Sequence, residues 1–221
     1  LDGTLFPYTT LFRSLAEAVK VAVLRDGAFF AALERDAAAL TRGEAAALEP
    51  AIRRGAELHL EHIRGGGDPF ELGSARPLDF GHWTAHRLEE LTDGGLRHGE
   101  AVAIGVALDS LLARDAGLLP GPIAERICAL LAALGLPLHH PALEALDVAD
   151  ALDRFREHLG GELTITWPTG LGRSTEVHAV EVAAVRRAVA ELARRVVRAP
   201  ERSDGGAPGP KARVTPVPAE L

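Results

Sequence analysis

The feature that most constrains the fold is the stretch 99–117, GEAVAIGVALDSLLARDAG, which is apolar on nearly all faces of a helix. A helix with apolar residues all round has to be buried, so other elements must cover it on every side. The hydrophobic content of 47% supplies enough apolar surface for such a core, while aromatic residues make up only 5%. Ala, Leu and Arg are among the most frequent residues, which favours helices packed on helices. We therefore predict a mainly α domain built around one buried helix.

Apolar residues recur at helical spacing in several other segments. Together with the Gly and Pro positions, this spacing predicts helices over 15–38, 44–64, 82–91, 121–135 and from about 180. A break is expected at Arg25-Asp26-Gly27. Residues 161–181 hold two runs of alternating β-branched residues around a Gly-rich link, which predicts one small β-hairpin.

Charge and cysteine content exclude several classes of function. The net charge of −7 does not indicate a nucleic-acid partner. No apolar run approaches the roughly 20 residues that span a bilayer, so no membrane segment is expected. The lone Cys128 allows no internal disulfide and is typical of a reducing compartment. We expect a cytoplasmic protein.

Three motifs carry residues suited to metal chemistry. Glu17 and Lys20 are three residues apart on one helix face, His82 and His86 are four apart, and His98 stands just before the buried helix. One carboxylate with two or three imidazoles suits a divalent metal with an open coordination position. The alternative is a non-catalytic helical domain whose histidines only pack, because this spacing is common on helices without any metal.

These motifs follow one another in the order AEAVK, LDFGHWTAH with LE, and LRHGEAVAIG. This order resembles the C-terminal half of 3-dehydroquinate synthase and its sugar-phosphate cyclase relatives. The resemblance extends from about Leu15 to Val196 and implies the helical, metal-binding C-terminal domain of that fold. It implies that Glu17, His82 and His98 are the metal ligands. Four further residues are expected in the catalytic machinery. Lys20 and His86 match residues of the family that contact the substrate or its phosphate. Glu71 matches an acidic residue of the family, and Asp79 stands where the family has an asparagine.

The resemblance also implies a reaction and its cofactors. Such enzymes are carbon–oxygen lyases that use bound NAD and Zn²⁺ or Co²⁺ to oxidise a ring hydroxyl, eliminate phosphate, return the hydride and close a carbocycle. The expected partner is a small sugar phosphate, and the complete enzyme is expected to be a homodimer.

Several positions depart from the 3-dehydroquinate synthase pattern. The lysine and arginine that hold the substrate carboxylate in that family fall at His59 and Ala75, and a late lysine is replaced by one of the residues 156–158. Losing a cationic pair that binds a carboxylate weakens selection for a carboxylated substrate. We therefore expect an uncarboxylated substrate such as sedoheptulose 7-phosphate.

Two other enzymes remain possible at this point. One is an authentic 3-dehydroquinate synthase of the shikimate pathway. The other is an oxidoreductase like the iron-containing alcohol and glycerol dehydrogenases, whose first metal ligand is typically aspartate. The Glu17-x-x-Lys20 pair argues against the second of these.

The segment Thr4–Ser14, TLFPYTTLFRS, is identical to the translation of a common short-read sequencing adapter. We interpret residues 1–14 as a non-native segment, 15–198 as the helical cyclase domain, and 199–221, rich in Pro, Gly and charge, as a disordered tail. The α/β nucleotide-binding domain of the family has no counterpart before Leu15. We therefore expect a fragment that is inactive by itself.

Overall fold

The computed structural model of the protein describes residues 8–66 and 78–198. The described elements, in chain order, are α1 (Tyr8–Arg25), α2 (Gly27–Thr41), α3 (Ala45–Gly66), α4 (His82–Leu91), α5 (His98–Asp115), α6 (Gly121–Ala133), a short 3₁₀ helix (Pro141–Leu143), α7 (Val148–His158), β1 (Ile165–Gly170), β2 (Arg173–Val177) and α8 (Val182–Arg198). The two strands pair antiparallel. No helix within these ranges is long and apolar enough to cross a membrane. The prediction of a mainly α fold with one β-hairpin is confirmed.

Helix α5 forms the centre of the domain. Its residues from Ala101 to Ala113 are all buried, and α1, α4, α6, α8 and β1 pack against it. Ser110, one of its few polar residues, donates to the backbone carbonyl of Val106 at 2.7 Å and so needs no partner from another element. The buried helix predicted from the apolar run is therefore present, and its neighbours cover it as expected.

Asp26 separates α1 from α2, at the break that the sequence predicts. Its carboxylate accepts hydrogen bonds from the backbone N–H groups of Ala28 and Phe29, which caps the start of α2. The same carboxylate accepts from Arg54 of α3 at 2.8 Å. One side chain therefore ends the first helix, begins the second and attaches the third.

Two helices differ from the sequence analysis. Helix α1 begins at Tyr8 and passes through the predicted boundary at Leu15, because neither Pro nor Gly interrupts residues 8–25. The adapter origin of residues 1–14 stays a prediction.

Helix α7 was not predicted; it is a short amphipathic helix whose start is capped by Asp147, which accepts from the backbone N–H of Asp150 at 3.1 Å. Glu71, Ala75 and the tail 199–221 lie outside the described residues.

The turn before α4 lies against the backbone of α5 at a pair of glycines. Gly81 adopts a left-handed φ of +78°, and a Cβ there would lie 2.6 Å from the Val106 nitrogen. A Cβ at Gly105 would lie 2.0 Å from the carbonyl oxygen of Gly81. Only residues without a side chain allow this approach, and it places His82, the first residue of α4, beside the central helix.

Gly105→Ala is expected to destabilise the domain by about 1–3 kcal/mol or more, because the added methyl group would overlap the Gly81 carbonyl. Gly55→Ala on α3 is the matched control: its Cβ would make an ordinary 3.7 Å contact with Ala18. A helical Gly→Ala change of this kind stabilises by roughly 0.4–1 kcal/mol. Urea unfolding measures both changes, and equal stability of the two variants would contradict the close approach of the two backbones.

Candidate metal centre

Three side chains from separate elements converge at one end of the central helix. Glu17 lies on α1, His82 is the first residue of α4, and His98 is the first residue of α5. One donor atom from each lies within 4.8 Å of the other two. Each side chain is partly buried, with exposed fractions of 30%, 18% and 24% respectively, so the group remains open to a small molecule.

The two oxygens of Glu17 have different partners. Oε2 forms an ion pair with the ammonium group of Lys20 at 2.6 Å. Oε1 faces the Nε2 atoms of His82 and His98 at 3.9 and 3.7 Å. Lys20 is buried, so its charge has no solvent to stabilise it and depends on this carboxylate. The pair therefore fixes one oxygen and leaves the other directed at the imidazoles.

The far nitrogens of both imidazoles are held by other groups. His82 Nδ1 lies 3.3 Å from the backbone carbonyl of Phe80. His98 Nδ1 lies 3.1 and 3.2 Å from the two carboxylate oxygens of Glu89. In both rings Nε2 is thereby directed toward Glu17. Histidines that bind metals commonly have the second ring nitrogen held in this way.

The donor set fits a divalent metal. One carboxylate and two imidazole Nε2 atoms form the kind of three-ligand set that leaves a further position for water or substrate, and such ligands suit Zn²⁺ or Co²⁺. The sequence analysis assigned Glu17, His82 and His98 to this role, and these three are the residues that the fold brings together.

Electrostatics keep Glu17 and His82 in a form suited to a cation. Burial acts to raise the pKa of Glu17, but the charge of Lys20 and the nearby imidazole of His98 together bring it far below its usual range. Burial and the Lys20 charge lower the pKa of His82 to about 4. The nearby carboxylates of Glu17 and Glu89 raise the pKa of His98 despite its partial burial. Glu17 is therefore an anion, and His82 is a neutral imidazole, at neutral pH.

The other predicted site residues occupy different positions around the metal centre. His86 is more than half exposed, and its ring centre is 5.5 Å from that of His82. Asp79 is buried in the turn before α4, where its carbonyl accepts from the His82 N–H at 2.7 Å. Glu71 lies outside the described residues. His59, which replaces the family's lysine, is on α3 and half-buried.

A groove of about 400 Å³ lies next to the metal centre, between α4 and α7. It is lined by Trp83, His86, Arg87, Glu89, Glu90, Ala151, Arg154, Phe155 and His158. Arg87 and Arg154 both pair with Asp150, at 3.0 and 2.9 Å. His158, one of the residues at the position of the family's late lysine, lines this groove, whereas Arg156 pairs with Asp153.

A buried carboxylate that the sequence analysis did not single out supports the turn that carries His82. Asp109 of α5 is fully buried, and its two oxygens accept from the Gly81 backbone N–H at 2.9 Å and from Trp83 Nε1 at 2.8 Å. These donors are the residues on either side of His82. The available signal was a single charge inside the apolar run 101–113.

Comparison with known proteins gives a consistent family match. A family model described as 3-dehydroquinate synthase C-terminal matches residues 14–157. The 2-epi-valiolone synthase of Actinosynnema mirum is 34% identical over 183 residues, which cover 80% of this chain and 47% of the relative. The 3-dehydroquinate synthase of Xylella fastidiosa is 35% identical over 193 residues, which cover 83% of this chain and 51% of the relative.

A solved structure agrees with these matches. The 2-epi-5-epi-valiolone synthase ValA of Streptomyces hygroscopicus subsp. jinggangensis, with NAD⁺ and Zn²⁺ bound, superposes with a TM-score of 0.75 at 31% identity. The match covers 84% of this chain and 51% of that structure. The chain thus spans about half the length of the relatives that it matches.

Asp109→Asn is expected to change how stability depends on pH. Burial raises the pKa of Asp109 to about 7, although Trp83 and Gly81 act to lower it, whereas an unfolded aspartate titrates at about 4. The folded state therefore holds an extra proton between these values, and the contribution of this group to stability falls as the pH rises through that window. Asparagine at this position does not titrate.

Denaturant unfolding of the parent and the Asp109→Asn variant across this pH range measures the difference. The stability of the parent relative to the variant should fall by up to about 4 kcal/mol as the pH rises from about 4 to about 7. His82 titrates with the opposite sign, but it is present in both proteins and cancels. Parallel stability curves would show that the pKa of Asp109 is not raised.

Proposed function

The chain belongs to the 3-dehydroquinate synthase C-terminal family, and we propose that it provides the metal-binding part of the active site of a sugar-phosphate cyclase. The observation that carries this proposal is the convergence of Glu17, His82 and His98 from three elements, with donor atoms within 4.8 Å of one another. The reaction class is phosphate elimination followed by ring closure, a carbon–oxygen lyase activity.

Glu17, His82 and His98 would hold a Zn²⁺ or Co²⁺ ion. When bound, such an ion supplies Lewis acidity toward a substrate hydroxyl or carbonyl oxygen, and NAD⁺ supplies the hydride acceptor and donor. The residues of this chain prepare the place for these groups. The ion pair with Lys20 keeps Glu17 ionised, and burial keeps His82 neutral, so both offer lone pairs to a cation.

His86 and Lys20 are proposed to act on the substrate. His86 is the exposed imidazole at the border between the metal ligands and the groove, where it can donate a hydrogen bond to a phosphate oxygen. Lys20 is buried beside Glu17 and contributes positive charge at the metal centre. Asp79 and Glu71 are proposed to complete the site, as the family resemblance implies. We further propose a cytoplasmic homodimer.

The proposed substrate is an uncarboxylated sugar phosphate such as sedoheptulose 7-phosphate. His59 and Ala75 stand where the family's 3-dehydroquinate synthases have the cationic pair that binds a substrate carboxylate. Neither residue offers the charge-assisted hydrogen bonds of lysine and arginine, so a carboxylate would gain less here than it does from that pair. Because the chain matches a valiolone synthase and a 3-dehydroquinate synthase at similar identity, this proposal rests on the two replaced positions.

Replacing any one metal ligand should weaken metal binding. His82→Ala, His98→Ala and Glu17→Gln are each expected to raise the Kd for Zn²⁺ by at least about 10–100-fold, since the loss of an outer-shell partner alone has an effect of that size. His178→Ala is the matched control, because His178 is more than half exposed and contacts the backbone carbonyl of Leu163. Calorimetric titration of the metal-free protein measures the four affinities. Equal affinity for all variants would place the metal elsewhere.

The substrate class is tested by phosphate release. With NAD⁺ and Zn²⁺ present, the longest native reading frame that contains this chain should release phosphate faster from sedoheptulose 7-phosphate than from the carboxylated seven-carbon substrate of 3-dehydroquinate synthase. The reason is the missing cationic pair at His59 and Ala75. A preference for the carboxylated sugar would overturn the substrate assignment and favour an authentic 3-dehydroquinate synthase.

A further inference from the structure

Glu89 contacts two imidazoles at the edge of the metal centre but belongs to neither the proposed ligand set nor the predicted catalytic residues. Its oxygens lie 3.1 and 3.2 Å from His98 Nδ1, and Oε2 lies 3.6 Å from His86 Nδ1. The carboxylate is about one-third exposed, so it is reachable from the groove. It is thus shared between a proposed metal ligand and a proposed substrate-binding residue.

The turn between α4 and α5 holds Glu89 and His98 together. The two residues are nine positions apart, and the turn residues Asp93 and Gly94 both adopt positive φ values, of 48° and 74°. The Thr92 hydroxyl donates to the Leu88 carbonyl at 2.8 Å and accepts from the Leu96 N–H at 3.2 Å. The backbone on both sides of the contact is therefore fixed, and the distance does not depend on a free loop.

A carboxylate acceptor at Nδ1 determines which nitrogen of a neutral imidazole carries the proton. A neutral ring has one N–H and one lone pair, and the proton favours the nitrogen with the nearer acceptor. Both ring nitrogens of His98 face a carboxylate, but Nδ1 lies 3.1 Å from Glu89, whereas Nε2 lies 3.7 Å from Glu17 Oε1, beyond hydrogen-bond distance. With Nδ1–H donated to Glu89, the lone pair of His98 is on Nε2, the atom that lies 3.7 Å from Glu17 Oε1. The neutral ring then presents its lone pair toward the position between Glu17 and His82.

We propose that Glu89 is a positioning residue of the metal centre, which holds His98 as the Nδ1–H tautomer with Nε2 directed at the shared position between Glu17 and His82. This rests on the proposed function. The same carboxylate also lies 3.6 Å from Nδ1 of His86, so a single side chain contacts a proposed metal ligand and a proposed substrate-binding residue.

The proposal is tested with Glu89→Ala and Glu89→Gln in the complete chain, using Co²⁺ as the probe metal. The alanine variant should bind Co²⁺ about 10–100-fold more weakly, the size of effect seen when an outer-shell partner is removed. Glutamine retains an acceptor oxygen for Nδ1–H, so this variant should recover part of the lost affinity. Calorimetry gives the affinities, and the visible absorption of bound Co²⁺ reports whether an imidazole has left the metal.

A second readout does not require the metal. In the metal-free parent at alkaline pH, where imidazoles are neutral, long-range ¹H–¹⁵N spectra should show His98 with its proton on Nδ1. Glu89→Ala should move a substantial fraction of the proton to Nε2, and Glu89→Gln should not. Glu90→Ala is the matched control on the same helix, because Glu90 accepts from Arg87 and not from a histidine.

The outcomes separate this proposal from the proposed function. If the parent binds no Co²⁺, the proposed function fails, while the tautomer of His98 still decides the role of Glu89. If Glu89→Ala retains the parent's affinity and tautomer, the positioning role is wrong. Should the alanine variant lose helical content by circular dichroism, Glu89→Leu, which restores side-chain volume without an acceptor, replaces it in both measurements.

Discussion

The candidate site depends on the contact between the turn before α4 and the central helix α5. Two glycines let the backbones meet, since a Cβ at Gly105 would lie 2.0 Å from the Gly81 carbonyl. Asp109 then holds the turn by accepting hydrogen bonds from Gly81 and Trp83, on both sides of His82. A buried carboxylate is costly unless its oxygens are paired, so the contact stays closed and His82 has one position relative to the start of α5.

The other two residues of the candidate site reach the same place through the packing of α5. His98 is the first residue of this helix, and α1, which carries Glu17, packs along its side. Ligands that come from three elements can hold their geometry only if those elements are fixed to one another, because a shift of about 1 Å is enough to spoil a functional site. The nearly complete burial of α5 provides that fixed reference.

The sequence was sufficient to predict the helical class, the buried helix and the residues that form the cluster, because periodicity and the order of motifs are local signals. The convergence of Glu17 with His82 also followed from motif order, through the family resemblance. The contacts that hold the cluster could not be predicted in the same way. The distance from Glu89 to His98 depends on the turn at Asp93 and Gly94, and the role of Asp109 depends on which backbone lies opposite it. Such tertiary contacts leave no periodic pattern.

The ion pair of Glu17 with Lys20 explains how the site can remain assembled with and without a cation. A buried ammonium group requires a partner, and an unpaired Glu17 carboxylate near two imidazoles would take up a proton more readily. Lys20 occupies Oε2 at 2.6 Å and leaves Oε1 facing both imidazoles. A cation at that position would therefore meet a carboxylate that is already ionised and oriented, and it would not have to displace the lysine. The charge of Lys20 opposes a second positive charge nearby, so the same contact that prepares the carboxylate also limits how tightly a metal is held.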